Sequence, residues 1–401
     1  MQRTADYTIQ GFLYQFNKTV LEILNAQDDD RITVEGIIED IEVATPTTLT
    51  AVQCKYHEAK TSFSASTVYK PILQMLKHFS ENELTNINYI LFAHFSGVGT
   101  PAPKIDKVIL EAALASKDKA IAKHIEAVPE GIDLNGFLDR FTMKFGPSYD
   151  EIVEKVGLEL EANGIPSDDI DTLAYPNAIH KVASLSVKHI ASERQITKKD
   201  FLNGLMTIRK TAISRWTLAL KTRVKLLKVR RAQLKIHLDK NSRLRYFVID
   251  PNSIEDYNSE IVLFISDYMS KYHFKSAHIN TPILCLHSSR IEIEDIQHRL
   301  YLKGIVATDG YIGRQFEESF FFREPFASMG VGGEAKREFS LRILSWQDHG
   351  NVLNDRKCDD LFIIGNPECD VLDTEDINVE CLTGATMKEV KYVMGISNAY
   401  E

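Results

Sequence analysis

The sequence lacks most of the features that would force an unusual architecture. Its five cysteines, at 54, 285, 358, 369 and 381, are scattered, odd in number and never spaced C-x-x-C. That excludes a zinc ribbon and a disulfide framework, and the expected compartment is the reducing cytoplasm. No stretch reaches the ~18 apolar residues of a membrane helix, so no span is expected. The opening "MQRTADYTIQGFLYQFNK" has neither the apolar core nor the cleavage site of a signal peptide. Internal repeats and low-complexity tracts are missing. The glycine-rich "SMGVGGEAK" (328–336) does not end in G-K-[ST]; Lys336 follows alanine, so the segment reads as a loop and not as a phosphate loop. The histidines form no metal-ligand box, and no spacing suggests a Ser/His/Asp or Cys/His arrangement.

What is present is the balance of a soluble globular chain: 44% hydrophobic and 26% charged residues over 401 positions. That length predicts two or three domains at roughly 100–200 residues each, with core enough to need no staple. The net charge of −9 does not exclude a nucleic-acid partner. Fields act over a Debye length of about 10 Å, so a local basic face outweighs the sum.

Apolar positions Phe12, Phe16, Val20, Ile23 and Leu24 predict a helix over 10–25, which "QDDD" ends. "RITVEGIIEDIEVAT" reads as a strand, "TPTT" as a turn and "LTAVQCKYHE" as a second strand, so the pair is expected to form a hairpin. A helix follows over "STVYKPILQMLKHFS", with Val68, Ile72, Met75, Leu76 and Phe79 on one face, then a buried strand, "INYILFAHF". Further elements are expected as a helix near 105–126, a strand over 140–146 and a helix over 148–164. Residues 167–238 read as helices only. From 242 onward strand and helix patterns alternate. The fold class is α/β, in three parts: 1–165, a helical region at 166–245, and a separate α/β module at 246–401 for regulation or partner binding.

Alternation along "AVQCKYHE" places Gln53 and Lys55 on one face of the second strand and Cys54 and Tyr56 on the other. The hairpin brings the acids near Asp40 beside them. Phosphodiester hydrolysis calls for such a set. A hard cation such as Mg²⁺ (or Mn²⁺) takes oxygen ligands, which Asp40, the Gln53 amide and the Cys54 carbonyl can supply. Lys55 then orients the attacking water or offsets transition-state charge. On the first helix Gln15 and Glu22 lie two turns apart; Glu22 can hold a metal-bound water, and Gln15 can orient Glu22 or Lys55. Glu35, Glu39 and Asp40 all remain open as the metal-binding acid. An exposed Gln and Lys on a hairpin also fit a plain solvated face, as does His57, two residues beyond Lys55.

The element order with an acid followed by Q-x-K resembles the PD-(D/E)xK nuclease superfamily. The segments "GFLYQ", "EDIEV" and "VQCKYHE" are similar to the DNA endonuclease domain of bacterial anti-phage effectors, among them the CBASS-associated endonuclease and the Lamassu-type nuclease that works beside an SMC-like ATPase. The resemblance covers about the first 100 residues and extends loosely to about 240. It departs from the superfamily at Gln53, where Asp or Glu is usual. It implies a restriction-endonuclease-like fold, with Asp40, Gln53 and Lys55 as the core site and Glu22 and Gln15 as accessories. It further implies double-stranded DNA as substrate and an SMC-like ATPase with an accessory subunit, or self-assembly into an oligomer, as the restraint on activity. The competing expectation is a catalytically inactive nuclease-fold subunit that binds DNA or scaffolds a defence complex.

Arg209 to Lys235 hold ten Lys/Arg and no Asp/Glu. Lys221, Lys225, Lys228 and Arg231 fall on one helix face, a pattern suited to DNA phosphates or to pairing with the chain's own acids. Asp355–Glu380 carries nine acids against Arg356 and Lys357, which suits a solvated surface, a docking face or a cover for basic surface.

Overall fold

The computed structural model describes residues 4–36, 38–58, 60–98, 101–240, 242–274, 280–329, 335–369 and 371–401. The chain is mixed α/β and divides into two compact units, Met1–Arg209 and Lys210–Glu401.

The first unit is built on a six-stranded mixed sheet. Helix α1 (Thr4–Asn25) precedes β1 (Arg31–Val34), β2 (Ile41–Ala44) and β3 (Leu49–His57); α2 (Tyr69–Glu81) and β4 (Ile87–Phe95) follow. The expected single strand over 31–45 is therefore two. The break has a physical cause. Glu35 takes a left-handed backbone (φ 50°), its N–H bonds to the Asp40 carbonyl (2.8 Å), and a Cβ at Gly36 would meet the Glu42 carboxyl. The turn so formed carries Glu35, Glu39 and Asp40 together.

β3 pairs antiparallel with β2 (Ile41 opposite Val52) and parallel with β4, the expected hairpin. β5 (Phe141–Phe145) and β6 (Gln195–Ile196) close the two edges. The helix expected near 105–126 is two short ones, Lys107–Leu114 and Ala122–Glu126. α2 buries Ile72, Met75, Leu76 and Phe79 on one sheet face against Tyr89, Leu91 and Phe95. On the other face α1 sets Tyr14 against Tyr56 (4.7 Å) and Phe92 (5.8 Å). Its buried stripe includes Leu13, Tyr14, Phe16, Val20 and Ile23; Phe12 is largely exposed. Helices α3 (Tyr149–Ala162) and α4 (Tyr175–Ser186) pack on α1, and Tyr175 Oη donates to buried Asn17.

The second unit begins with α5 (Arg223–Leu238) and β7 (Arg245–Ile249). It continues through α6 (Tyr257–Tyr272), β8 (Ile283–Leu286), α7 (Arg290–Tyr301), β9 (Ala307–Thr308), β10 (Leu341–Ser345), β11 (Asp360–Ile364), β12 (Asn378–Leu382) and α8 (Met387–Val393). Its sheet runs β12-β11-β7-β8-β10-β9 with every pair parallel, and apolar side chains cover both faces. The chain winds from β7 through β8 to β9 at one edge, inserts β10 between β8 and β9, then returns to the far side of β7, the doubly wound pattern.

The region 166–245 does not stand apart. Residues up to 209 complete the first unit, where β6 extends the sheet beside β1 and so places a strand inside the segment expected to be all helix. Residues from 210 belong to the second unit, with α5 packed against α8. A helix packs on whichever apolar surface covers its stripe, and helical periodicity does not say which. Residues 330–334 of the glycine-rich segment and Asp370 of the acidic one lie outside the described residues.

Candidate active site

The local backbone explains how the predicted residues meet. Asp40 lies one residue before β2, next in register to the Ile41–Val52 pair, and so comes opposite Gln53. Its Oδ2 accepts a hydrogen bond from the Gln53 amide and another from the Cys54 N–H (2.8 Å). Lys55, next but one along β3, shares that face. Its charge holds the carboxyls of Asp40, Glu35 and Glu39 lower than they would otherwise lie. Gln53 is buried; Asp40 and Lys55 are half-buried.

The electrostatics are those of crowded acids. Burial raises the Asp40 carboxyl above its usual range, against the hydrogen bonds from Cys54 and Gln53 and the charge of Lys55. Glu39 is buried and is pushed up to about 8 by desolvation first and the Asp40 charge second. Glu35 is raised too, mainly by burial, while a hydrogen bond from Gln15 Nε2 (2.7 Å) works against it. Glu35 and Glu39 are thus members of the site, and only the turn between β1 and β2, which the sequence reads as strand, brings them to it.

The accessory residues of α1 are placed differently from expectation. Gln15 bonds to Glu35, not to Glu22 or Lys55. Glu22 pairs with Lys18, one turn earlier. Lys18 lies over the Phe92 ring (4.7 Å), on the Cys54 and Tyr56 face of the sheet, opposite the Lys55 face. The buried Cys54 thiol, raised well above its ordinary value chiefly by desolvation, feels Asp40 from one side and Lys18 and Glu22 from the other. His57 stacks on Phe95 (4.9 Å); burial lowers its pKa to about 4, and its Nε2 has no partner.

The donor set suits a hard cation in kind. One carboxylate meets an amide whose half-turn exchanges nitrogen for oxygen, and strand geometry turns the Cys54 carbonyl to the same side as its N–H. Three carboxyls raised by burial, Glu35 and Glu39 also by the Asp40 charge, form a locus that a divalent charge would relieve. Among the described residues no group of three His, Cys, Asp or Glu side chains is spaced to hold a metal by itself.

The basic run divides in two. Lys221, Lys225 and Lys228 are exposed on or just before α5. Arg231 is half-buried and turned inward, over the Tyr392 ring (4.7 Å) and onto Glu401 (3.0 Å). Arg230 is buried and pairs with buried Glu380, which Lys210 also reaches (2.7 Å); Arg223 pairs with buried Glu389. In the acidic segment Asp360 is clasped by Arg243 (2.7 Å) and Arg245 (3.4 Å), and Asp373 pairs with Lys357 (2.6 Å). Part of each charge run therefore neutralises the other inside the second unit.

Among the described residues no helix is long and apolar enough to cross a membrane. No protein-family model matches the chain, and no curated protein does. Solved structures similar to it include the Cap4 SAVED/CARF-domain containing receptor of Acinetobacter baumannii. With the cyclic trinucleotide 2′3′3′-cAAA that receptor is 12% identical, over 96% of this chain and 92% of that one, at a TM-score of 0.30. A second structure of that receptor is 13% identical, over 96% and 93%, at 0.30. At that TM-score the likeness decides neither fold nor ligand for this chain.

Proposed function

We propose that the chain is a metal-dependent DNA endonuclease, the effector of a bacterial anti-phage or anti-plasmid system. The observation that carries this is the convergence of the Gln53 amide and the Cys54 N–H on the Asp40 carboxylate, with Lys55 on the same strand face as Gln53. Asp40, Gln53 and the Cys54 carbonyl would hold Mg²⁺ or Mn²⁺, which supplies a Lewis acid for the phosphate and a more acidic bound water. Asp40 is fixed by two hydrogen bonds and needs little reorganisation. Lys55 brings a positive charge to the place where the pentacoordinate phosphate gathers negative charge. Gln15 holds Glu35 at the rim, where its carboxyl can take a proton from water. The exposed Lys221, Lys225 and Lys228 offer a sequence-independent hold on the DNA backbone. A nuclease open to any DNA would destroy its host, so restraint by an SMC-like partner or by assembly state belongs to the same proposal.

The test is incubation of the purified protein with plasmid DNA and Mg²⁺ or Mn²⁺, alone and with the products of neighbouring genes. Lys55→Ala and Asp40→Ala should each lower cleavage by at least 10³-fold with the unfolding temperature of Lys55→Ala within a few degrees of wild type. Full cleavage by folded Lys55→Ala would remove the site assignment. The absence of a three-ligand cluster among the described residues favours one other reading, a DNA-binding subunit without catalysis. It predicts salt-sensitive DNA binding and no product at any metal concentration.

A further inference from the structure

The second unit holds a small basic cavity that the nuclease reading does not use. It lies where the ends of α5 and α6 meet the turn after α8, encloses about 140 Å³, and has Arg231, Lys235, Asp239, Lys271, Tyr272 and Gly395 among its walls. Three of those six are cations and one is a carboxylate. Lys235 and Lys271 pair with no acid among the described residues; Lys271 donates to the Gly395 carbonyl. Arg231 is held in place by stacking on Tyr392 and by bonds to the Ser397 carbonyl (3.2 Å) and the Asn398 side chain (3.0 Å). Glu401, outside the cavity wall, takes part of its charge. Tyr272 Oη donates to the Met394 carbonyl (2.7 Å), which fixes the turn whose Gly395 sits at φ 69°.

Ordinary ligand pockets measure about 300–1,000 Å³. This one has room for a charged head group and not for a base or sugar. A planar guanidinium and two ammonium groups around so small a space match a tetrahedral oxyanion carrying one or two charges. We propose that this cavity binds the phosphate of a phosphate monoester, either a free one or the 5′ end of a nucleic acid. The site is independent of the Asp40–Lys55 reading, and its cations are other residues than the exposed Lys221, Lys225 and Lys228.

Calorimetric titration of the full chain with inorganic phosphate, at ionic strength balanced with NaCl, tests it. Saturable binding is expected in the wild type, and Lys235→Gln with Lys271→Gln should weaken it at least tenfold; both side chains are exposed, so the fold is kept. Lys221→Gln with Lys225→Gln and Lys228→Gln should leave it unchanged. No saturable heat, an unaffected Lys235/Lys271 double variant, or an equal loss in the stripe variant would each overturn the proposal. A second titration compares 5′-phosphorylated with 5′-hydroxyl oligodeoxynucleotides. A preference for the phosphorylated end that the double variant abolishes identifies a nucleic-acid terminus; equal binding of the two ends, with phosphate still bound, identifies a free ester.

Discussion

Glu39 shows what single residues contribute here. Its carboxyl, pushed up to about 8 by burial, is protonated in the folded chain near neutrality and ionised in the unfolded one. A raised folded-state pKa stabilises fully below the unfolded value and is lost as pH climbs through the folded value. The wild type should therefore lose stability between about pH 4.5 and pH 8, by roughly a few kcal/mol. Glu39→Gln should flatten that slope, and unfolding temperatures across the range measure it. Divalent cation should restore part of the wild-type loss at pH 8 if the acid cluster lies at the metal, and should do less in Asp40→Ala. Alternation along β3 was enough to pair Gln53 with Lys55. Glu39 stood open beside Glu35 and Asp40 as a candidate acid, but its burial was not legible, because it depends on a turn that only the Glu35 backbone and the Gly36–Glu42 contact create.

At the scale of elements, α5 has two charge faces with different duties. Arg230, buried against Glu380, anchors the helix to β12. Arg230→Ala leaves buried Glu380 with Lys210 as its remaining cationic partner, so it should cost about 3 kcal/mol in denaturant unfolding, the low end for a broken buried pair. Arg230→Met combined with Glu380→Met should cost clearly less, because no buried carboxylate remains and Lys210 is partly exposed. Lys221, Lys225 and Lys228 are exposed, and their triple Gln variant should leave stability within about 0.5 kcal/mol. It should instead weaken DNA binding and reduce the slope of log K against log salt by roughly 0.9 for each phosphate that is no longer neutralised. Sequence spacing put Arg231 with these lysines. The structure turns it toward Tyr392 and Glu401, since residues at three- and four-residue steps share a face only broadly and its edge packs on α8.

For the whole molecule, the division after Arg209 makes a direct prediction about fragments. Residues 1–209 should unfold cooperatively on their own, because they contain β6 and α4 as well as the acid cluster. Residues 1–165 should not. That shorter fragment removes Tyr175 from Asn17 and strips α4 from α1, leaving buried polar and apolar surface uncovered. Circular dichroism melts of the two fragments distinguish the cases; a cooperative 1–165 fragment would return the boundary to 165. If the nuclease reading holds, 1–209 also carries every residue of the cleavage site.

The sequence by itself determined the local choices: the helix and strand periods, the β2–β3 hairpin, the alternation that sets Gln53 beside Lys55, and the near-continuous apolar runs that become buried parallel strands. Those follow from interactions between residues a few positions apart. Tertiary structure decided the rest. It assigned the helices of 166–245 to two different units, drew Glu35 and Glu39 in beside Asp40 through one turn, set Glu22 with Lys18 on the other face of the sheet, and buried part of the basic run against Glu380 and Glu389. Each of these depends on which distant surface covers a given face, and desolvation there sets the cost of leaving a charge unpaired.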